Sequence, residues 1–561
     1  MVRKFLGLYL EGFMRKESMG VMLVLWIVVI HVLVSYELVR QRPEDNLRNV
    51  DGLDDLFADK KDNGHKEQSN DRISNLPDAI TDHILSFLPI KSIAQTSVLS
   101  KRWRYIWSSF PSLDFSESQV GFQIGNLSTN LHYPETKALE FISLVLARCH
   151  KRSNIQSFHF KGDLSLSCLY DCICSVVKHK VVELELDVCL NYHFDMPRYL
   201  FTCDSLRTLM LKARKPSTTL GNQKPSFRFL TSYAIAANGL QSLCTLSLTC
   251  IRFMDGQMIA DLFSASCFPL LKELKLSACE GVTYLCISYP NLENFTVRNM
   301  QIYGLDVSGR RLERLQVCDC FHNSCIITIF APHLQKNFWE LSGFTEKFSA
   351  QNFAFLHLAS FYIHKYTKSA ANVRSTETLL SGLSNTTKLY VGFRYIEILS
   401  EIHFAGGLPF SFDKLLVLMI HTGLGKCDIP GVCCLLRSCP KVRALRVDIF
   451  NNWGTQTDNR DFLDNADLSE EEYWESQTQV LRSCLNHLVW VKIVVRGQMI
   501  HENAINFVKF LLKHGSVLGK ILLSVEREGS VPNENLPLQE LKIHLLKEFY
   551  QASSDVDIVL G

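Results

Sequence analysis

Neither sign of charge dominates this chain. Its 561 residues carry 59 Lys and Arg against 57 Asp and Glu, a net charge of +2, with no long basic run and no basic patch interleaved with aromatics. Nucleic acid is therefore not an expected partner, because neutralising phosphates takes a concentrated cationic surface. A zinc pattern is missing as well. There are 19 cysteines, but the close pairs Cys172/Cys174, Cys318/Cys320 and Cys433/Cys434 are not the Cys-x-x-Cys knuckle that tetrahedral zinc favours. Such cysteines are expected as small buried hydrophobes, with free thiols in a reducing compartment. Catalytic patterns are absent too. His501-Glu502 lacks the second histidine of a zinc helix, and Gly515-x-x-x-Gly519-Lys520 is one residue short of a phosphate loop and lacks its Ser or Thr. No Gly-x-Ser-x-Gly elbow occurs. The sequence thus predicts no enzyme, no cofactor and no metal.

What is present is the composition of an ordinary folded protein, 47% hydrophobic and 21% charged. The length exceeds what one core usually supports, so several units or a repeat array are expected.

The first segment, residues 1–40, contains an apolar run at 19–36 interrupted only by His31 and Ser35 as clearly polar residues. As a helix rising about 1.5 Å per residue, it would nearly cross a hydrocarbon core, which makes it a candidate membrane anchor. The flanking basic residues, Arg3, Lys4, Arg15 and Lys16 against Arg40, Arg42 and Arg48, only weakly favour a cytosolic amino terminus. Residues 41–70 are polar and acid-rich, the composition of a flexible tether.

Residues 71–107 read as three short helices with more apolar surface than so small a unit can bury. Pro77 suits a helix start, where its missing N–H costs nothing. Ile80, Ile84 and Leu88 recur every four residues beside Leu85, and Pro89 stops the helix. Ser100 is a candidate N-cap for a third helix carrying Trp103 and Trp107. A unit of under about fifty residues is marginal alone, so its apolar face must lie against something else.

Leu76-Pro77-Asp78, Ile84-Leu85, Leu88-Pro89 and Val98-Leu99-Ser100-Lys101-Arg102-Trp103, in this order and spacing, resemble the plant form of the F-box. The resemblance implies docking onto a Skp-type adaptor and, through it, onto a cullin–RING ubiquitin ligase, in the cytoplasm, the nucleus or both. Carried over by position, Leu76, Pro77, Ile80, Ile84, Leu85, Leu88, Pro89, Val98, Leu99 and Trp103 form the adaptor-facing or helix-packing set. Trp103 and the Leu76-Pro77 start are the expected anchors of that contact. A cytosolic body is required for such docking; a tethered repeat module with an unused F-box is the alternative.

From about residue 150 a phrase recurs: apolar, two variable, apolar, one variable, apolar. Ile155/Phe158/Phe160, Val181/Leu184/Leu186, Leu206/Leu209/Leu211, Leu243/Leu246/Leu248, Leu271/Leu274/Leu276, Leu292/Phe295/Val297 and Leu312/Leu315/Val317 carry it. This is leucine-rich-repeat spacing, with one strand per repeat and the return path outside. The ladder asparagine is mostly missing, with cysteine or another residue in its place. At Asn337 the phrase degrades; Leu415/Leu418/Ile420 and Val442/Leu445/Val447 restore it, with helices predicted at 376–383 and 432–438. Within each strand the apolar pair points inward. The outward positions Glu185, Asp187, Met210, Lys212, Ser247, Thr249, Lys275, Ser277, Thr296, Arg298 and Gln316 are the candidate contacts for an unknown target protein.

Residues 451–479 read as an acidic, solvated insert. Glu471-Glu472-Tyr473-Trp474, with the strand–helix–strand pattern over 480–526, resembles the FBD domain of plant F-box/leucine-rich-repeat proteins. Residues 527–561 remain as a tail. The expected fold is α/β: a three-helix F-box at 71–115, an irregular solenoid with a parallel sheet arc at 150–450, and an α/β FBD-like cap.

Overall fold

The computed structural model describes residues 77–88, 90–96, 101–116, 142–147, 154–214, 225–232, 239–254, 259–341, 347–350, 353–363, 370–450, 469–496, 502–526 and 556–560. The candidate anchor at 19–36 and the tether at 41–70 lie outside the described residues. Among the described residues no helix is long and apolar enough to cross a membrane. The chain divides into two compact units after Lys161.

In the first unit, helix α1 spans Asp78–Leu85, α2 Ile90–Gln95 and α3 Lys101–Ser109. Pro77 is the N-cap of α1, and its carbonyl accepts from the Ile80 and Thr81 amides at 3.0 and 3.1 Å. Ile84, Leu85, Ile90, Ile93, Trp103, Ile106 and Trp107 form a sealed core between the helices. Two parallel strands follow, β1 at Ser112–Ser116 and β2 at Ser157–Asp163, with Leu113 opposite Phe158 and Phe115 opposite Phe160.

The second unit is a leucine-rich-repeat solenoid of α/β type. Its long sheet is parallel throughout and keeps one register. Leu184, Leu209, Leu246, Leu274, Phe295 and Leu315 succeed one another across neighbouring strands, all buried. Burying each such side chain is worth about 1.5–3 kcal/mol relative to exposure, so the stacked row is a main source of cohesion. One residue before each ladder position (Ile251, Cys279, Met300 and Cys320), the chain turns through a left-handed residue: Cys250, Ala278, Asn299 and Asp319 have φ between +50° and +57°. Their amides donate to Ser277, Arg298, Cys318 and Glu340 carbonyls of the next strand at 2.8–2.9 Å. Backbone bonds thus supply part of the ladder, and the buried thiols at two ladder positions add to it: Cys279 Sγ lies 3.5 Å from the Leu248 carbonyl and Cys320 Sγ 2.9 Å from that of Cys318.

The structure refines these expectations. The apolar phrase degrades at Asn337, yet the strand Lys336–Leu341 runs in register with its neighbours, the amide occupying the inward position between Leu315 and Ala359. The reading of one strand per repeat does not hold throughout. Tyr284–Ser288, Ile302–Ser308, Phe321–Phe330 and Lys347–Ala350 form a second parallel sheet, and Phe194–Asp195, Phe227–Phe229 and Ile251–Phe253 a third. Leu285, Ile287, Leu305, Val307, Ile327 and Ile329 are the buried alternating pairs of the second sheet.

The carboxy-terminal reading also changes. Within the segment taken as a solvated insert, Glu470–Ser476 is a helix with a capping box between Ser469 and Glu472, and it buries Tyr473 and Trp474. Beyond it, Trp490–Arg496, Lys520–Glu526 and Asp557–Leu560 add successive parallel strands to the long sheet. The FBD-like stretch therefore continues the sheet, and the stretch taken as tail contributes its last strand. The helix Glu502–His514 lies between the first two of these strands, as the strand–helix–strand pattern predicts.

Candidate functional site

Two surfaces carry the candidate residues, one on each unit. On the first, the ten motif residues separate by burial. Ile84, Leu85 and Trp103 are 3%, 1% and 4% exposed, packed inside the module. Trp103 is thus corrected from a presented anchor to a core residue: α3 turns its indole inward against α1 and α2. Pro77 is exposed, Ile80 is 43% exposed and Leu88 is half-buried. Leu76, Pro89, Val98 and Leu99 lie outside the described residues.

Sequence reasoning missed two exposed large side chains of this unit. Phe87 is 65% and Tyr105 60% exposed. Phe87 follows Ile80 by seven residues, two helical turns, so the i, i+7 spacing was the available signal. The backbone keeps helical hydrogen bonding there, Ser86 donating to Asp82 at 2.9 Å and Phe87 to Ile84 at 3.3 Å. His83 meets the Phe87 ring edge-on at 5.0 Å. The arrangement can do no bond-making chemistry; it can bury apolar area against a partner.

On the second unit, the outward strand positions form two rows. Glu185, Met210, Ser247, Lys275, Thr296 and Gln316 are register partners in succession, and so are Asp187, Lys212, Thr249, Ser277 and Arg298. All eleven are exposed or half-buried, none fully buried. Charges among them are partly self-compensated: Asp187 pairs with Lys212 at 3.1 Å and Arg214 at 2.7 Å, and Lys275 with Glu273 at 2.7 Å. The solvent-facing Lys275–Glu273 pair contributes little stability, and together the pairs leave this end of the face polar and nearly neutral.

The first row does not stop at Gln316. It runs on through Phe338, Ser360, Tyr390, Met419, Arg446 and Lys492. The degraded phrase at Asn337 hid this continuation, and with it the aromatic half of the surface. A separate cavity of about 480 Å³ opens where the strands begin, lined by Glu293, Arg311, Glu313, His333, Gln335, Phe355 and His357. It brings together no nucleophile and base. Among the described residues no group of three or more His, Cys, Asp or Glu could hold a metal ion. The thiols of Cys172, Cys279, Cys320 and Cys484 are pushed up to about 12 by burial, which makes them inert packing groups at neutral pH.

Comparison with known proteins follows the same division. The F-box domain family matches residues 73–115. A putative F-box/FBD/LRR-repeat protein of Arabidopsis thaliana is 34% identical over 505 residues, covering 87% of this chain and 95% of that protein. An F-box/FBD/LRR-repeat protein of the same plant is 31% identical over 484 residues, 82% of this chain and 92% of that one. An F-box/LRR-repeat protein, also from Arabidopsis thaliana, is 27% identical over 436 residues, 74% and 80% of the two chains.

Proposed function

The chain belongs to the plant F-box/FBD/LRR-repeat family, and on that premise we propose that it is the target-binding subunit of a Skp–cullin–F-box ubiquitin ligase. An F-box joined to leucine-rich repeats is the arrangement of a substrate adaptor. In this reading the first unit docks a Skp-type adaptor, and the outward face of the long sheet holds a target protein. The protein supplies no catalysis of its own. It raises the effective concentration of a target lysine beside the ligase's activated ubiquitin.

One observation carries the reading. The small helical module seals its own core and still leaves Ile80, Phe87 and Tyr105 at least 43% exposed. Large apolar side chains left exposed on so small a unit mark contact positions for another protein. The test is co-purification with a Skp-type adaptor. Ile80→Glu combined with Phe87→Glu abolishes capture while leaving the thermal transition in place, since exposed substitutions shift stability by only about 0.5 kcal/mol. Equal recovery of the adaptor by the double variant and the native chain overturns it.

The body is proposed to work in the cytoplasm or nucleus, where adaptor and ligase can reach it. The apolar run at 19–36 favours a second reading, a membrane-tethered repeat module whose F-box is unused. Protease protection of the carboxy-terminal body in sealed microsomes would establish the second reading and exclude the first; digestion excludes a luminal body.

A further inference from the structure

The outward face of the long sheet changes its electrostatics partway along. On the four strands between Glu183 and Ser277 every outward cation has a partner. Lys212 and Arg214 meet Asp187 at 3.1 and 2.7 Å, and Lys275 meets Glu273 at 2.7 Å. From the strand Asn294–Arg298 onward that pairing stops. Arg298, Arg314, Lys336 and Lys388 are all exposed, and among the described residues none of the four has an ion-pair or side-chain hydrogen-bond partner.

Three of the four stand in one row. Arg314 is the register partner of Lys336, Lys336 of Leu358, and Leu358 of Lys388. With strands about 4.8 Å apart, the row runs about 14 Å from Arg314 to Lys388. Like charges side by side on neighbouring strands destabilise a sheet, as Arg314 and Lys336 do here. The one carboxylate at the outward positions of these strands, Glu340, lies four residues along its strand from Lys336, about 13 Å away. Glu313, next to Arg314 in the chain, lines the cavity at the strand starts and forms no ion pair with the row. Beside the basic row runs a second one, Gln316, Phe338, Ser360 and Tyr390, all half-buried. Aromatic surface therefore flanks unneutralised positive charge.

An extended peptide rises about 3.4 Å per residue, so its side chains at i, i+2 and i+4 share one side over about 14 Å. That span equals the length of the basic row. We propose that Arg314, Lys336 and Lys388, with Phe338 and Tyr390 beside them, form a docking strip for an extended acidic segment of the target protein. Alternate carboxylates of that segment meet the three cations, and the apolar residues between them lie over the two rings. Charge complementarity selects the occupant: the strip offers cations without anions, whereas Lys212, Arg214 and Lys275 are already neutralised. The assignment of the occupant to a target protein rests on the substrate-receptor reading; the strip itself rests on this geometry.

The probe is the peptide acetyl-Glu-Phe-Glu-Phe-Glu-amide, titrated calorimetrically into the full chain bound to its adaptor. It binds saturably, and more weakly as salt is raised, because exposed charges are screened. Its glutamine counterpart, acetyl-Gln-Phe-Gln-Phe-Gln-amide, binds about 10-fold more weakly or not at all. Arg314→Gln, Lys336→Gln and Lys388→Gln combined lower the affinity for the acidic peptide about 10-fold or more. Lys212→Gln with Lys275→Gln, at cations already paired, leaves it unchanged. Should the triple variant fail to fold, Lys388→Glu weakens the acidic peptide selectively and serves in its place. Equal affinity for the two peptides, native affinity in the triple variant, or an equal loss in the paired-cation control overturns the proposal. Equally tight binding of a five-nucleotide oligothymidylate overturns it as well, since the strip would then take any polyanion. Binding that appears only after Asp458, Asp461, Asp464 and Asp467 are replaced by asparagine makes the chain's own segment the occupant, and likewise overturns it. Capture of the adaptor stays intact in these variants, so a failed strip leaves the ligase reading standing. Conversely, a chain that binds the acidic peptide but captures no adaptor retains the strip and loses the ligase.

Discussion

The phenol oxygen of Tyr473 lies 2.9 Å from Nε2 of His403, seventy residues earlier in the chain. This bond ties the helix Glu470–Ser476 to the helix Phe393–Phe404, and Trp474 beside it packs against Phe507 and Phe510 at 4.9 and 5.2 Å. The acid-rich stretch thus ends in a core element. Tyr473→Phe should cost about 1 kcal/mol through the lost bond. Trp474→Ala should cost about 3–5 kcal/mol through the cavity. Urea unfolding measures both, and a loss below about 1 kcal/mol for Trp474→Ala would show that the helix is not part of the fold.

Asn337 is fully buried, and neither its amide oxygen nor its nitrogen has a partner. It occupies the position that Leu315 fills one strand away. Replacement by leucine, which has the same heavy-atom branching though a larger volume, removes two unsatisfied polar atoms and should stabilise the second unit by about 1–3 kcal/mol. A raised urea midpoint is the expected result; a lowered one means the amide has a buried water or partner that the substitution destroys.

Stability should fall on acidification, in part through His421. Burial and the nearby Arg496 push its folded-state pKa down to about 3, below the ordinary value of about 6.5, so between these limits the unfolded chain binds the extra proton. The contribution is complete above pH about 6.5 and declines as pH falls towards 3, by at most about 1.4 kcal/mol per pH unit. Burial shifts His403 in the same direction. His421→Phe should therefore flatten, without abolishing, the difference between urea midpoints at pH 7.5 and pH 5. An unchanged difference would mean that the ring is already protonated or solvated.

Trp103 and Ile80 should behave oppositely although both belong to one motif. Trp103→Ala opens a cavity in a module with little core to spare and should unfold it, a loss of about 3–5 kcal/mol. Ile80→Ala leaves the module folded and weakens only adaptor capture. Limited proteolysis of the first unit, run beside the capture assay, separates the two; a protease-resistant module in Trp103→Ala would contradict the buried placement.

The repeat phrase was legible because Leu, Val and Phe at fixed intervals can only be satisfied by stacking strands that share one inward face. Asn337 broke the pattern locally, yet the flanking strands held the register, since a one-residue slip would have turned every neighbouring apolar side chain outward. The second and third sheets were harder to see. Their alternating pairs, such as Leu285/Ile287 and Ile327/Ile329, fall between the repeats and look like ordinary loop hydrophobics until parallel partners are in place.

The order and spacing of the F-box residues, and the period of the repeats, were fixed by the amino-acid string alone, because both depend on local spacing. Which motif residues turn inward was decided by packing: α3 buries Trp103, while Ile80 and Phe87 stay in solvent. The cluster of rings around His421 belongs wholly to tertiary structure. Its rings come from residues 362 to 450, on separate strands and a helix, and only parallel pairing in register brings them within contact of one another.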